Sequence, residues 1–133
     1  EKGHEYWTTT GLPRRIGWLD LPAVKFACQL SSVNRIAITK IDILSGLPKI
    51  KVCLGYKLSG KKIEFSQCGY QELGKLTPVY KSFPGWKEDI TKIKSFKKLP
   101  ANCQNYVKFI EKYLNVKVKI VSVSPEREAS IFV

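Results

Sequence analysis

The chain has 133 residues, 44% of them hydrophobic and 11% aromatic, a composition that excludes a disordered chain and suits one domain with a modest core. Its formal net charge of +12 favours anionic partners such as nucleotides, nucleic acid or anionic membrane, although a solvated basic surface accounts for the charge equally well. No apolar run approaches the roughly 18 residues needed to cross a bilayer, and the N-terminus lacks signal-peptide character, so we expect no membrane association.

The first predicted element is a helix that follows a Thr-, Gly-, Pro- and Arg-rich loop at residues 8–18. Asp20 is typical of an N-cap and Pro22 of a first helical turn. The apolar residues after them recur at helical spacing. An alternating, Ile-rich segment at 35–44 then predicts a buried strand, which Ser45, Gly46 and Pro48 end.

The middle of the chain predicts a β-hairpin. Residues 49–58 are typical of a strand, and a Ser-Gly turn leads into a second strand at 62–65. Residues 78–86 are predicted to be extended and then to turn at Phe-Pro-Gly-Trp. Apolar residues at i, i+3, i+4, i+7 and i+8 predict a helix over 103–114, and residues 116–122 alternate as a strand does.

Strands and helices in this order predict an α/β fold. Because the order is irregular, we expect a mixed, largely parallel sheet with flanking helices and a β-hairpin. The whole chain, residues 1–133, is treated as a single segment.

Neither a metal site nor a catalytic constellation is expected. The four cysteines form no C-x-x-C pair and His4 is the single histidine, which argues against zinc. Reduced thiols of a cytosolic protein are the preferred interpretation, and a pair of disulfides is the alternative. No Ser or Cys nucleophile has a positioned base, and no G-x-x-x-x-G-K-[ST] loop is present. We therefore predict no catalytic residue and no metal ligand.

The segment Thr39-Lys40-Ile41-Asp42 could read a guanine base. Guanine presents N1–H and its 2-amino group as neighbouring donors, and one carboxylate can accept both. Adenine offers no such pair. A lysine two positions before the Asp can lay its aliphatic stem along the base, as in the N-K-x-D segment of GTP-binding proteins. The alternative is a strand end with two solvated charges.

Two further segments could bind anions or carbonyl groups. Residues 8–15 combine hydroxyls, a Gly and two arginines, which suit a carboxylate or a phosphate, although an exposed basic turn has the same composition. Residues 122–125, Ser-Val-Ser-Pro, lie where a strand enters a loop. Backbone N–H groups there can cap an acceptor such as guanine O6, and a simple turn is the alternative.

Taken together and in order, these segments resemble the adenylosuccinate synthetase family. Residues 5–15 read EYWTTTGLPRR, where the family has E-[YF]-G-x-T-T-G-R-P-R-R, and GWLD follows in both. Residues 39–44, TKIDIL, are similar to the family's T-K-L-D-V-L. Further matches are residues 50–53, Tyr80, 84–86, 99–100, 105–106 and 122–128. The resemblance covers essentially the whole chain in register.

The resemblance implies the C-terminal part of a GTP-dependent ligase that joins IMP and L-aspartate in purine nucleotide biosynthesis. GTP phosphorylates O6 of IMP, aspartate displaces the phosphate, and Mg²⁺ bridges the phosphates. The implied aspartate and IMP loop comprises Thr8, Thr9, Thr10, Gly11, Leu12, Pro13 and Arg14. The implied GTP-binding residues are Arg14, Lys40, Ile41, Asp42, Ser122, Val123 and Ser124. A homodimer and a cytoplasmic location are implied as well.

The family's G-D-E-G-K-G-K phosphate loop, its catalytic Asp and His and much of its IMP pocket match nothing in the sequence. We therefore expect a piece of a larger α/β enzyme fold, with Mg²⁺ held mainly by the absent N-terminal part. These 133 residues alone are not expected to be active. The lack of an initiator Met agrees with a cut piece, and Met removal or tag cleavage are the alternatives.

Three positions depart from the family pattern. Leu12 replaces an arginine that holds aspartate and the IMP ribose, and losing such a cation costs on the order of 3–5 kcal/mol. Trp7 and Ser124 replace glycines, and Trp7 could not fit if its position needs positive φ. These departures favour an alternative, a degenerate non-catalytic nucleotide-binding or interaction module. Nucleic-acid binding is not expected, because the aromatic residues of helix 103–114 lie on an apolar stripe.

Overall fold

In a computed structural model of the protein, residues 3, 5–126 and 128–133 are described. His4, for which no catalytic role is expected, and Arg127, part of the matched segment 122–128, lie outside these residues. The described residues form seven strands and two α-helices, joined by loops and short 3-10 helices.

The first sheet is built around a long central strand. Strand β3 (Lys49–Leu58) lies parallel to β1 (Leu19–Asp20) and antiparallel to β4 (Lys61–Ile63) and β5 (Thr77–Pro84). Ser59 and Gly60 connect β3 to β4 with φ of 50° and 83°, as a type I′ hairpin turn requires.

The second sheet has three strands. Strand β2 (Arg35–Ile38) lies parallel to β6 (Lys117–Ser122), which pairs antiparallel with β7 (Ser130–Phe132). Pairing of β2 with β6 brings together segments that are far apart in sequence. This pairing also sets the position of two predicted binding segments.

Two helices cover the sheets. Helix α1 (Leu21–Leu30) begins as predicted, since the Asp20 carboxylate accepts a hydrogen bond from Ala23 N–H at 3.2 Å. Helix α2 (Ala101–Leu114) ends at Asn115, whose φ of 55° terminates the helix. The buried residues of α2 are Cys103, Tyr106, Val107, Ile110 and Leu114. They join residues of both sheets in one hydrophobic cluster.

The mixed α/β class with flanking helices and a hairpin is confirmed, and three details differ. The strands are divided between two sheets, and two of the pairings among the described residues are parallel while three are antiparallel. The strand predicted at 35–44 is wrong beyond Ile38, because Lys40 has a left-handed φ of 57° and Ile41–Leu44 form a 3-10 turn. The predicted hairpin strand at 62–65 ends at Ile63, and β1 and β7 were not predicted.

All four cysteines are free thiols, as the preferred interpretation expects. Cys28, Cys53 and Cys103 are buried, and burial raises the pKa of Cys103 to about 12. None of the helices in the described part of the chain is long and apolar enough to span a membrane.

The start of β3 and the end of β5 meet in a junction that only glycine can fill. Gly85 N–H donates to Pro48 O at 3.1 Å, and Gly46 N–H donates to Trp86 O at 2.8 Å. A Cβ on Gly85 would lie 1.7 Å from Leu47 O, far inside any allowed contact. Because the obstacle is backbone, no side-chain movement relieves it.

We expect Gly85→Ala to lower the free energy of unfolding by about 3 kcal/mol or more, since the two backbone segments must separate. Chemical denaturation followed by circular dichroism measures this change. Gly74→Ala is the matched control, because a Cβ there meets nothing within 4 Å. Equal stabilities of the two variants would contradict the steric argument.

Candidate functional site

The parallel pairing of β2 and β6 places two of the predicted binding segments at one edge of the second sheet. Ile38 lies opposite Val121, so residues 39–42 and residues 122–124 both leave the sheet at its carboxyl end. The 3-10 turn Ile41–Leu44 also contacts β6. In open α/β sheets this edge is where ligands bind.

Asp42 lies at this edge in the first turn of the 3-10 helix. Its neighbour Ile41 is 1% exposed and anchors the turn in the core. The Asp42 carbonyl accepts a hydrogen bond from Ser45 N–H at 3.1 Å, while the half-buried carboxylate has no hydrogen bond or ion pair within the described residues. Both carboxylate oxygens are therefore available to a ligand.

The turn after β6 is closed by its own hydrogen bonds. Ser122 Oγ donates to Ser124 O at 2.9 Å, and Val123 N–H donates to Ala129 O at 3.0 Å. Val123 N–H is therefore occupied. The N–H of Ser124 has no partner in the part of the chain that the structure describes, which makes it the free donor of this turn.

The Thr-rich segment forms a tight hairpin-like loop. Trp7 N–H donates to Leu12 O at 2.9 Å, and Gly11 N–H donates to Trp7 O at 2.8 Å. Gly11 has a φ of 66°, a conformation that favours glycine. Thr8, Thr9 and Thr10 are exposed at the tip of this loop. The hydroxyls are thus presented by a closed backbone rather than by an extended strand.

One carboxylate connects the Thr-rich loop to the edge of the second sheet. Glu5 accepts a hydrogen bond from the Lys40 ammonium, which also donates to Gly3 O at 2.9 Å. The other Glu5 oxygen lies 3.5 Å from the Arg14 guanidinium, and Arg14 N–H donates to Glu5 O at 2.8 Å. The hydrogen bond from Lys40, reinforced by the charges of Lys40 and Arg14, holds the pKa of Glu5 below its ordinary value of 4.5.

The three departures from the family pattern fit the backbone without strain. Positive φ at residues other than Gly occurs, among described residues, only at Ser32, Lys40, Ser59 and Asn115. Trp7 and Ser124 therefore do not need a glycine conformation. Trp7 is 55% exposed and its ring lies 5.1 Å below the Arg14 guanidinium carbon, which is within cation–π range. Leu12 is 62% exposed and places an apolar side chain on the loop.

A cleft of about 750 Å³ separates the loop from the 3-10 turn. Its lining includes Glu5, Arg14, Trp18, Ile43, Leu44 and Tyr80. A cavity of this volume is in the range that small-molecule and nucleotide ligands occupy.

The structure thus brings the two segments that were predicted to read guanine to one edge, and a contact with Glu5 connects Lys40 to the Thr-rich loop. Sequence reasoning gave Glu5 no role, because a contact with Lys40 leaves no local pattern. The sequence Pro84-Gly85-Trp86 predicted a turn, but it did not predict the close backbone contact of Gly85 with Leu47. No group of three or more His, Cys, Asp or Glu side chains that could hold a metal occurs within residues 3, 5–126 and 128–133.

A carboxyl-edge site flanked by an arginine-bearing loop is characteristic of α/β proteins that bind ligands outside the ends of their parallel strands. Comparison with known families is more specific. The adenylosuccinate synthetase family model matches residues 1–131, and the chain belongs to this family. The resemblance read from the sequence is therefore confirmed.

Individual members of the family match the chain over nearly its whole length. Adenylosuccinate synthetase of Malacoplasma penetrans is 48% identical over 98% of this chain, and that of Caldanaerobacter subterraneus is 47% identical over 98%. The solved structure of fully ligated adenylosuccinate synthetase from Plasmodium falciparum superposes with a TM-score of 0.94 at 40% identity, covering 99% of this chain and 32% of that one. The chain spans 31% of the length of the curated relatives it matches.

We expect the carboxyl group of Glu5 to titrate with a midpoint below 4.5. Because the folded-state pKa is lowered, the contact with Lys40 is complete at neutral pH and is lost as the pH falls through that midpoint. Carbon-13 NMR of the Glu5 carboxyl measures it, and Lys40→Met should move the midpoint upward. An unchanged midpoint in Lys40→Met would contradict the assigned contact.

Proposed function

We propose that this chain supplies the guanine-binding edge and the aspartate-binding loop of an adenylosuccinate synthetase. The reaction is the GTP-dependent joining of IMP and L-aspartate in purine nucleotide biosynthesis. Family membership and the superposition on a fully ligated relative support the reaction class. The observation that carries the assignment is the unpartnered, half-buried carboxylate of Asp42 at the carboxyl edge of β2.

In this proposal Asp42 accepts the N1–H and the 2-amino group of guanine, one donor to each oxygen. Ile41 fixes the turn in the core, so the carboxylate is held in place before the base arrives. The stem of Lys40 lies along the base, and the free N–H of Ser124 caps guanine O6. Adenine would place a ring acceptor against the carboxylate, so the site discriminates by repulsion as well as by attraction.

The Thr-rich loop is proposed to hold the aspartate carboxylates and part of IMP. Its exposed hydroxyls at residues 8–10 are the donors, and Arg14 is the cation that reaches the substrate and the nucleotide. Gly11 keeps the loop tight enough to present these groups together. Leu12 contributes no charge, so Arg14 is the cation that remains at the centre of the proposed loop site.

Phosphate binding and the chemical step are proposed to lie outside these 133 residues. Mg²⁺ is proposed to be held mainly by the N-terminal part of the enzyme, as the family resemblance implies. The chain is therefore proposed to act in the cytoplasm as one part of a larger enzyme that forms a homodimer.

Asp42→Asn should weaken GDP binding by about tenfold or more, because an amide replaces one of two charged acceptors with a donor that faces a guanine donor. The preference for GDP over ADP should fall in parallel. Calorimetric titration of both nucleotides measures these affinities, and Glu88→Gln, an exposed carboxylate elsewhere, should change neither. If the unaltered protein binds GDP and ADP equally, the guanine assignment is wrong.

A second candidate function is a non-catalytic nucleotide-binding or interaction module of the same ancestry. The observation that favours it is the replacement of a loop arginine by the apolar, exposed Leu12. A loop without that cation would lose affinity for aspartate while the guanine edge kept its geometry. The module would then bind a guanine nucleotide without forming adenylosuccinate.

Leu12→Arg separates the two functions when the chain is joined to the N-terminal part of the Malacoplasma penetrans relative. The synthetase assignment predicts that KM for aspartate falls by about tenfold or more, since a bidentate cation regains its carboxylate partner. Adenylosuccinate formation is the readout. Leu30→Arg, at a leucine that is 71% exposed, controls for added charge. No activity in either variant would favour the module.

A further inference from the structure

The Glu5 carboxylate contacts a cation in each half of the candidate site. One of its oxygens accepts a hydrogen bond from Lys40, at the guanine edge, and the other lies 3.5 Å from Arg14, in the Thr-rich loop. We propose that Glu5 is a positioning residue that couples the guanine edge to the loop. This inference rests on the proposed function and adds to it the means by which binding of one ligand changes the affinity for the other.

On the guanine side, Glu5 determines the direction of the Lys40 side chain. Lys40 has a φ of 57°, so its backbone leaves β2 in a left-handed turn. Its ammonium donates to Glu5 and to Gly3 O at 2.9 Å, which fixes the far end of a side chain that is otherwise long and mobile. A stem held at both ends loses little further conformational entropy when a base stacks on it.

On the loop side, Arg14 is held from three directions. Its backbone N–H donates to the backbone carbonyl of Glu5 at 2.8 Å, and its guanidinium lies 3.5 Å from the Glu5 carboxylate. The Trp7 ring lies 5.1 Å from the guanidinium carbon. Trp7 stands where the family has glycine, so the third contact is a property of this chain. Glu5 and Trp7 together fix where Arg14 can meet an anion.

The charge of Glu5 also makes the arrangement possible. Lys40 and Arg14 are two cations in a chain with a formal net charge of +12, and without a carboxylate between them they would repel each other. A guanine nucleotide that stacks on the Lys40 stem therefore favours the arrangement in which Lys40, Glu5 and Arg14 are joined, and so stabilises the position of Arg14. Linkage requires the effect to be reciprocal, so an anion bound by Arg14 strengthens guanine binding by the same factor.

A double-mutant cycle on the purified protein tests the guanine side of this coupling. We expect Glu5→Gln to weaken GDP binding by about threefold in the unaltered background, the size typical of a partly exposed ion pair. In the Lys40→Met background it should cause no further loss. Glu111→Gln is the matched control, because Glu111 forms a similar pair with Lys117 at 3.2 Å in another part of the chain, and it should leave GDP affinity unchanged.

The loop side needs a readout that a merely structural role would not move. GDP should shift the NMR resonances of the Arg14 guanidinium and of the amides of residues 8–11, whereas ADP should not. In Glu5→Gln these shifts should disappear while the GDP-induced shift at Ser124 persists. Thermal denaturation of each variant shows whether the fold is retained, and the wild-type shifts test the coupling without any substitution.

The outcomes are distinct. If the wild-type protein prefers GDP to ADP but the losses in Glu5→Gln and Lys40→Met add, or the loop resonances do not respond to GDP, the coupling role is wrong and the guanine assignment stands. If the wild-type protein shows no preference for GDP, the proposed function fails and the coupling role fails with it.

Discussion

The absence of a side chain at Gly85 is the constraint on which the rest of the molecule depends. Leu47 O lies 1.7 Å from the position that a Cβ on residue 85 would take. The segment that follows β5 can therefore lie against the segment that precedes β3 only if residue 85 is glycine. Hydrogen bonds between the two backbones stabilise this contact, and so does Asn102 Nδ2, which donates to Gly85 O at 2.8 Å. Sheet, helix α2 and the segment before β3 are thereby tied at one point.

The candidate site takes its geometry from that junction. Trp86 is 3% exposed, and its indole N–H donates to Ser45 Oγ at 3.0 Å. Ser45 ends the 3-10 turn that carries Asp42. The Trp86 indole therefore contacts one end of the turn, and the buried side chain of Ile41 packs its other end into the core. Burial of the Trp86 side chain stabilises the fold by roughly 2–3 kcal/mol, and its neutral hydrogen bond to Ser45 contributes ~1 kcal/mol. Packing therefore fixes the position of the turn, and the hydrogen bond fixes its orientation.

Local signals predicted the elements well and the site only in part. The Asp20 N-cap, the alternation along β6 and the apolar stripe of α2 are each encoded in a few neighbouring residues, and the structure confirms them. In residues 35–44 the alternating Ile positions shift by one at Thr39 and Lys40, which is consistent with the end of the strand there, but no local pattern indicates that Lys40 adopts a left-handed conformation. Contacts such as Glu5 with Lys40 join residues 35 positions apart and have no periodicity, so only the folded chain displays them.

The two halves of the proposed site differ in how far they depart from the family pattern that the sequence resembles. At the guanine edge the departure is Ser124, which keeps its N–H free and needs no unusual φ. In the loop, Leu12 places an exposed apolar side chain where the family pattern has an arginine, so one cation for a ligand carboxylate is missing. The contact of Trp7 with Arg14 returns about 1 kcal/mol at an exposed position. That contact places Arg14 more firmly but adds no charge, so it does not replace the missing cation, and the proposed guanine edge keeps more of its recognition chemistry than the proposed loop does.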